Sequence, residues 1–161
     1  MTLNQIIKTI EDLGNAHQQI KTTYYGNAFD FLSRGADNTY PAFFFDITGA
    51  SINGKTSTLN FTLFFCDRVL PEQSNEQEVL SDQLLTAEDI IAQLHYNDFD
   101  FVLQDAVTLD FFTEDTPEYL AGVSATIALD LPYLQNRCVV PTDYTYPVSY
   151  THLTLPTKRI V

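Results

Sequence analysis

The sequence predicts one α+β domain, in which a mostly antiparallel sheet carries two main helices on one face. Three observations lead to this prediction. Two segments repeat apolar residues at helical spacing, several others are rich in β-branched and aromatic residues, and the order along the chain is helix, strands, helix, strands. A chain of 161 residues has the size of one domain with one core. We therefore expect a single two-layer domain over residues 1–147.

The first predicted element is a helix that begins after Thr2. Apolar residues from Leu3 to Leu13 recur at helical spacing, and the Thr2 hydroxyl is suited to cap the first turn. The Gly14-Asn15 pair is typical of a helix end, because glycine readily takes the backbone conformation that closes a helix.

Three strands are predicted next, over residues 19–25, 40–47 and 56–69. All three are rich in aromatic and β-branched residues, which pack well on a pleated surface. The Asn53-Gly54 pair between the last two is a strong signal for a tight hairpin, so we expect these two strands to be antiparallel neighbours.

A second helix is predicted after Ser74 or Asn75, either of which can cap it. Apolar residues of this helix recur at spacings of four, three, four and three, which predicts one apolar stripe. Its members are Leu80, Leu84, Ala87, Ile91 and Leu94, and Glu88 lies away from it.

The last third of the chain is predicted to return to strands. Residues 99–109 are predicted to form one strand, and the acidic segment 113–118 is predicted to be a loop. Residues 122–131 alternate apolar and polar side chains, which is the period of a half-buried strand.

The charge of the chain is strongly negative. With 21 acidic and 8 basic residues, the formal net charge is −13. Affinity for nucleic acid comes largely from Lys and Arg, and an acidic surface is repelled by anionic lipid. We therefore expect no specific nucleic-acid binding and no membrane partner, and we expect the charge to keep the protein soluble.

The sequence offers no recognisable catalytic apparatus. Nucleophile-elbow, zinc-protease, P-loop and dinucleotide-binding motifs are all missing from it. His17 and His95 share no motif, so we interpret both as surface or interface residues. Cys66 and Cys138 have neither disulfide-framework nor metal-type spacing, and we expect both to be reduced and buried. We predict a protein that is not an enzyme, with no catalytic, cofactor-binding or metal-binding residues and no cofactor.

Two acidic clusters leave one enzymatic alternative open. The first holds Asp98, Asp100 and Asp105, and the second lies within residues 114–118. Hard cations bind several carboxylate oxygens, which makes a carboxylate metalloenzyme conceivable. Neither cluster follows the order of a calcium-loop motif, and we favour a solvated acidic face for both.

Adjacent aromatic residues give a more useful signal. Neighbours on a strand point to opposite faces, so paired phenylalanines place large apolar groups on both sides of the sheet. Helices on one face leave the other to be covered by loops or by another subunit. The candidate interface residues are Phe43, Phe45, Phe64, Phe111 and Phe112.

The segment 148–157, VSYTHLTLPT, differs from the rest of the chain. It back-translates without a gap into the transposon end and adapter used to prepare sequencing libraries. We interpret residues 148–161 as a non-native tail that interrupts the native chain near Pro147, and the alternative is a natural Thr/Pro-rich tail. Without this segment, which removes Lys158 and Arg159 and no acid, 21 acidic residues stand against six basic ones, a charge of −15.

Several segments together resemble a known class of protein, the small structural proteins of tailed bacteriophages and prophages of the tail-terminator or tail-completion type. The resemblance covers residues 1–141 and is one of pattern and order. It is carried by TLNQIIKTIEDL at the start, Tyr24-Tyr25-Gly26 with Phe31-Leu32, Tyr40-Pro41 leading into Phe43–Asp46, FTLFFCDRV at 61–69, EVLSDQLLTAEDIIAQL at 78–94 and AGVSATIALDLPYLQNRCVVP at 121–141.

The resemblance implies an α+β subunit of the virion neck or head–tail joining region, assembled in the host cytoplasm. It implies a homo-oligomeric ring, a hexamer in such proteins, that contacts tail-tube or neck proteins without a cofactor or catalysis. An acidic ring lumen would repel DNA over about a Debye length, ~8 Å at physiological salt. The alternative we keep is a soluble acidic binding module that uses an aromatic sheet face for a peptide or small ligand.

Overall fold

The computed structural model describes residues 1–70, 74–96, 98–114, 119–134, 137–145 and 147. The predicted non-native tail, residues 148–161, lies outside them. Three helices and six strands follow in the order α1 (Leu3–Ala16), β1 (Thr22–Tyr25), α2 (Ala28–Ser33), β2 (Ala42–Asn53), β3 (Thr56–Arg68), α3 (Glu76–Leu94), β4 (Val102–Leu103), β5 (Thr108–Glu114) and β6 (Leu120–Pro132), with short 3₁₀ turns at Gly35–Asp37 and Arg137–Val139.

All six strands belong to one sheet. Its order is β1-β2-β3-β6, and both β4 and β5 pair with the far edge of β6. The β1–β2 pair is parallel, and the other pairs are antiparallel. The α+β class and the mostly antiparallel sheet are therefore confirmed.

A tight hairpin joins β2 to β3, as predicted. Asn53 pairs with Thr56, so the loop consists of Gly54 and Lys55. Gly54 has a φ of 62°. A positive φ at the first loop position is the conformation that glycine supplies in a type II′ turn, whose twist matches that of the flanking strands.

The two longest strands form the centre of the sheet. β3 and β6 have 13 residues each and pair without interruption from Thr56–Pro132 to Arg68–Leu120. The backbones come very close at Gly122, where a Cβ atom would overlap the carbonyl oxygen of Phe65. Only glycine fits this position, because any side chain would have to push the two central strands apart.

The main helices α1 and α3 pack on the same face of the sheet. Thr2 and Gln5 form a reciprocal capping box at the start of α1, and Ile6 and Ile10 of that helix are fully buried. The core beneath the two helices consists of alternate side chains of β2, β3 and β6, among them Phe43, Phe61 and Ile127.

The buried face of α3 differs from the predicted stripe. Ala87 and Leu94 are buried as predicted, but Leu84 lies at the margin and is only partly buried. The face towards the sheet includes two polar residues, Gln83 and Thr86, which a pattern built on apolar residues does not detect. The Thr86 hydroxyl is satisfied within the helix, because it donates to the Asp82 carbonyl at 3.1 Å.

Three predicted strands differ clearly in their bounds from the structure. The first strand begins at Thr22 instead of residue 19, since a turn in which the Ile20 N–H donates to the His17 carbonyl precedes it. The second ends at Asn53 instead of residue 47, because it continues to the hairpin with β3. The predicted strand 99–109 is divided into β4 and β5, and β5 continues to Glu114 into the predicted loop. Residues 115–118 of that loop lie outside the described residues.

Replacing Leu94 with Ala should lower the free energy of unfolding by about 2–5 kcal/mol, because the Leu94 side chain is buried in the main core. Leu85→Ala is the matched control on the same helix. Leu85 is 59% exposed, so we expect a change below about 0.5 kcal/mol. Urea denaturation followed by circular dichroism measures both, and equal losses would show that the buried face of α3 is wrongly assigned.

Gly122→Ala should destabilise the protein by about 3 kcal/mol or more, because the added methyl group overlaps the β3 backbone. Gly49→Ala is the control. A Cβ at Gly49 would lie 3.8 Å from its nearest neighbour, the Asn60 amide nitrogen, so the change should be neutral or slightly stabilising. Melting temperatures of the two variants test this, and a Gly122→Ala protein as stable as wild type would contradict the close β3–β6 contact.

Candidate interaction surfaces

Two of the five predicted interface residues lie in the core. Phe43 and Phe45 are fully buried beneath the helices, and the Phe43 ring stacks on that of Phe65 with centroids 4.7 Å apart. The assignment of these two residues to an interface is therefore corrected. The pairing of β2 with β3 shifts by one residue at a bulge between Ile47 and Gly49. Before this bulge, odd-numbered residues of β2 pair with odd-numbered residues of β3 that face the core, so Phe43 and Phe45 point to the face covered by α1 and α3.

Phe64 and Phe112 lie on the opposite face of the sheet, where they belong to a second, smaller cluster. The Phe31 ring of α2 stacks on Phe44 at 4.3 Å, Phe44 stacks on Phe64 at 4.7 Å, and Phe112 meets Phe64 edge-on at 6.1 Å. The short helix α2 thus covers one end of this face. Phe64 and Phe112 remain half-buried at the margin of the cluster.

A small cavity opens between α2 and this aromatic cluster. Its volume is about 250 Å³, which suits one apolar side chain better than a larger ligand. The cavity is lined mainly by apolar side chains of β2, β3, β5, β6 and α2, including Phe44, Phe64, Cys66, Phe112 and Leu120.

Phe111 occupies a third environment, on the helix side of β5. It is 56% exposed and lies at the edge of a groove between β5 and α3. Leu80 and Leu84 of α3 line the same groove, and the Thr113 hydroxyl ties β5 to Glu76 at its end, with an O···O distance of 2.9 Å. Phe111 is therefore the most exposed of the five predicted interface residues.

Beyond the aromatic cluster the open face is mainly polar, with Val102 of β4 as an exposed apolar residue beside Asp130. Thr58 and Thr62 of β3 lie there, and the Thr58 hydroxyl donates to the Asp130 carboxylate at 2.6 Å. The Gln104 amide donates to the same carboxylate oxygen at 2.9 Å. Because these polar groups bind one another across strands, this part of the face needs no apolar cover.

His17 joins the two main helices. Its Nδ1 accepts the Gln19 backbone N–H at 3.1 Å, so Nε2 carries the proton of the neutral ring and donates to the Asp89 carboxylate at 2.9 Å. His95 is exposed at the end of α3. Of the two predicted surface histidines, His17 thus has a structural contact between α1 and α3.

The residues that could carry chemistry are dispersed. Within the described part of the chain, no group of three or more His, Cys, Asp or Glu side chains could hold a metal ion. Asp98, Asp100 and Asp105 are all exposed. Among the same residues, no helix is long and apolar enough to cross a bilayer.

The two cysteines have different environments. No disulfide joins them, and Cys66 is buried in the aromatic cluster beneath α2. Cys138 was expected to be buried and is exposed. Its position explains the difference, since it lies in the 3₁₀ turn beyond the end of β6.

The feature that sequence reasoning missed is a pair of open sheet edges. β1 pairs with Ala42–Phe45 only, so the second half of β2 has no neighbouring strand on that side among the described residues. β5 pairs with β6 on one side and, within the same residues, with no strand on the other. The uncharged run ITGASIN at 47–53 was the one available signal.

No protein-family model matches the sequence, and no curated protein matches it either.

Burial raises the pKa of the Asp67 carboxyl above its usual value, and the nearby Asp82 charge adds to the effect. The Arg68 backbone N–H, which donates to Asp67 at 2.7 Å, opposes the shift only in part. The folded state therefore holds this proton more tightly than the unfolded chain does. The stability that follows is present below the unfolded pKa, about 3.9, and is lost as pH rises through the folded value.

Asp67→Asn should therefore stabilise the protein at pH 7 relative to wild type, and this gain should disappear at pH 3. The Asn side chain still accepts the Arg68 N–H but carries no charge. Denaturation at the two pH values measures the difference, with the exposed residue Asp98 changed to Asn as the control. A gain of the same size at both pH values would contradict the proposed cause.

Proposed function

We propose that the protein is a non-enzymatic assembly subunit of a phage tail or neck, of the tail-terminator or tail-completion type, acting through contacts with copies of itself and with neighbouring virion proteins. The observation that carries the self-association is the exposed Phe111 ring beside the apolar groove of α3. The virion assignment follows from the sequence resemblance, and so do the ring and its place at the tail tube or neck.

The Phe111 surface has the chemistry of an interface core. Aromatic side chains are enriched at the centres of protein interfaces, where they bury a large area with few rotatable bonds. In the groove beside Phe111, Leu80 and Leu84 provide apolar contact, and Glu76 and Gln77 form a polar margin. An apolar centre with a polar rim supports docking of another protein surface.

The charge supports a conduit for DNA in preference to a DNA-binding protein. Phosphate binding depends on counterion release by Lys and Arg, and with a net charge of −13 on the full chain, repulsion by the acidic residues opposes it. Two arginines stack on tyrosine rings of the same domain. Arg34 lies over Tyr24 at 4.7 Å, and Arg68 lies over Tyr40 at 5.1 Å.

One observation favours a second candidate function, a binding module for a peptide. The cavity of about 250 Å³ beside Phe64 and Phe112 can accept a single apolar side chain. Such a module would act as a monomer with a small partner, whereas an assembly subunit requires a multivalent surface.

Sedimentation across a salt series should show self-association that persists or strengthens as salt rises, because apolar contacts remain while repulsion between acidic subunits is screened. Phe111→Ser should weaken it by about tenfold or more, as expected when an interface aromatic is truncated. Phe29→Ser is the matched control, since Phe29 of α2 is 79% exposed and lies outside the groove. A mobility shift at the lowest salt should show no binding to duplex DNA.

The outcomes separate the two functions. A strict monomer at high concentration that binds apolar peptides would support the binding module and contradict the assembly subunit. Tight, salt-sensitive DNA binding would contradict both the charge argument and the virion role built on it.

A further inference from the structure

Two stretches of strand edge on opposite sides of the sheet have no partner strand among the described residues. One is β5, which has seven residues. The other is residues 46–53, the eight residues of β2 beyond the four that pair with β1. Open strand edges present unpaired N–H and C=O groups and are templates for pairing with another chain.

Hydrogen bonds to β1 show which β2 backbone groups face outward. Pro41 and Phe45 accept N–H groups of Lys21 and Gly26 at 2.8 and 2.9 Å, so odd-numbered residues of this part of β2 face away from β3. The register shifts by one residue at a bulge between Ile47 and Gly49. Beyond it, even-numbered residues face outward.

The outward groups of the open β2 edge therefore belong to Ala50 and Ile52. The same reasoning applies to β5. The Gln104 backbone N–H donates to the Ala128 carbonyl at 2.9 Å. The backbone N–H and C=O groups of even-numbered β6 residues therefore point to the side of the sheet edge where β4 and β5 lie. Their partners on β5 are even-numbered as well, which leaves the backbone of Leu109 and Phe111 pointing outward.

The two edges have compatible direction and position. Successive antiparallel pairs make β5 run opposite to β2, so β5 of one copy can pair with β2 of the next in antiparallel fashion. β5 lies level with the half of β2 that β1 covers, so the neighbouring copy must be displaced along the strands. Strand stagger of this kind is what allows a sheet to close on itself.

The charges of the two edges are compatible with pairing. Residues 47–53 of the open β2 edge carry no charge and no proline, and Lys55 lies at its tip. The β5 edge is acidic, with Asp110 exposed on the strand and Asp105 exposed just before it. Two β5 edges brought together would repel each other, whereas β5 against the uncharged edge would not.

We infer that copies of this chain associate head to tail by adding the open edge of β2 in one copy to β5 of the next, so that one antiparallel sheet continues through the assembly. Ala50 stands opposite Phe111, and Ser51 stands opposite Asp110. This inference rests on the proposed assembly function and names its contact. Because the two surfaces differ, the association is heterologous, the kind that generates a ring when the rotation closes.

Cysteine cross-linking tests the register. In a Cys138→Ser background, which removes the exposed thiol, an equal mixture of Ser51→Cys and Asp110→Cys proteins should form a disulfide-linked dimer under mild oxidation. Each single variant alone should stay monomeric on a denaturing gel. Self-linking of Asp110→Cys or of Ser51→Cys alone would indicate a two-fold β5–β5 or β2–β2 contact and overturn the inference.

Ala50→Pro tests the backbone contact, because it removes an N–H that faces away from β3 and leaves the β2–β3 ladder intact. We expect a melting temperature close to wild type under conditions where wild type is monomeric, and association weakened about tenfold or more. Ala50→Val, which keeps the N–H, should associate as wild type does.

The results distinguish the inference from the function on which it rests. Wild-type association that Ala50→Pro leaves unchanged overturns edge pairing and leaves the assembly function standing. A wild-type protein that stays monomeric at high concentration overturns both.

Discussion

The close contact between β6 and β3 at Gly122 is the constraint on which the rest of the structure depends. It allows thirteen-residue strands to pair over their whole length. β2 and β1 then extend the sheet beyond β3, and β4 and β5 extend it beyond β6. The alternation along these two strands also divides the side chains between the faces. Leu63, Phe65 and Val123 point to the helices, and Phe64 and Ser124 point away.

The division of aromatic residues between the faces explains why the sheet has unequal layers. On the helix face, stacked rings such as Phe43 on Phe65 form a continuous core beneath α1 and α3. On the other face, the aromatic cluster is confined to the end under α2, and beyond it threonine and aspartate side chains bind one another. A short helix is sufficient cover because the rest of this face is compatible with water.

Much of this arrangement could be predicted from local patterns, and the remainder could not, for physical reasons. Helical spacing identified α1 and α3, since their apolar faces are long. It misplaced the buried face of α3 because Gln83 faces the sheet. The paired phenylalanines correctly indicated apolar groups on both faces, but the burial of Phe43 and the exposure of Phe111 depend on where the helices lie. The open edges follow from topology, since β5 lies beside β6 and β1 covers only part of β2. The uncharged run at 47–53 is the one local signal of them.

Charge limits how copies of such an acidic chain can meet. At physiological salt the field of an exposed carboxylate extends about 8 Å, so broad contact between two open faces that carry Asp110 and Asp130 would bring like charges within range. A strand edge avoids this cost, because its attraction comes from backbone hydrogen bonds about 3 Å long over a narrow strip. The stretch Ile47–Asn53 is uncharged along its whole length. Charge repulsion therefore disfavours stacking of subunits face to face, and hydrogen bonding along that edge favours extension of the sheet.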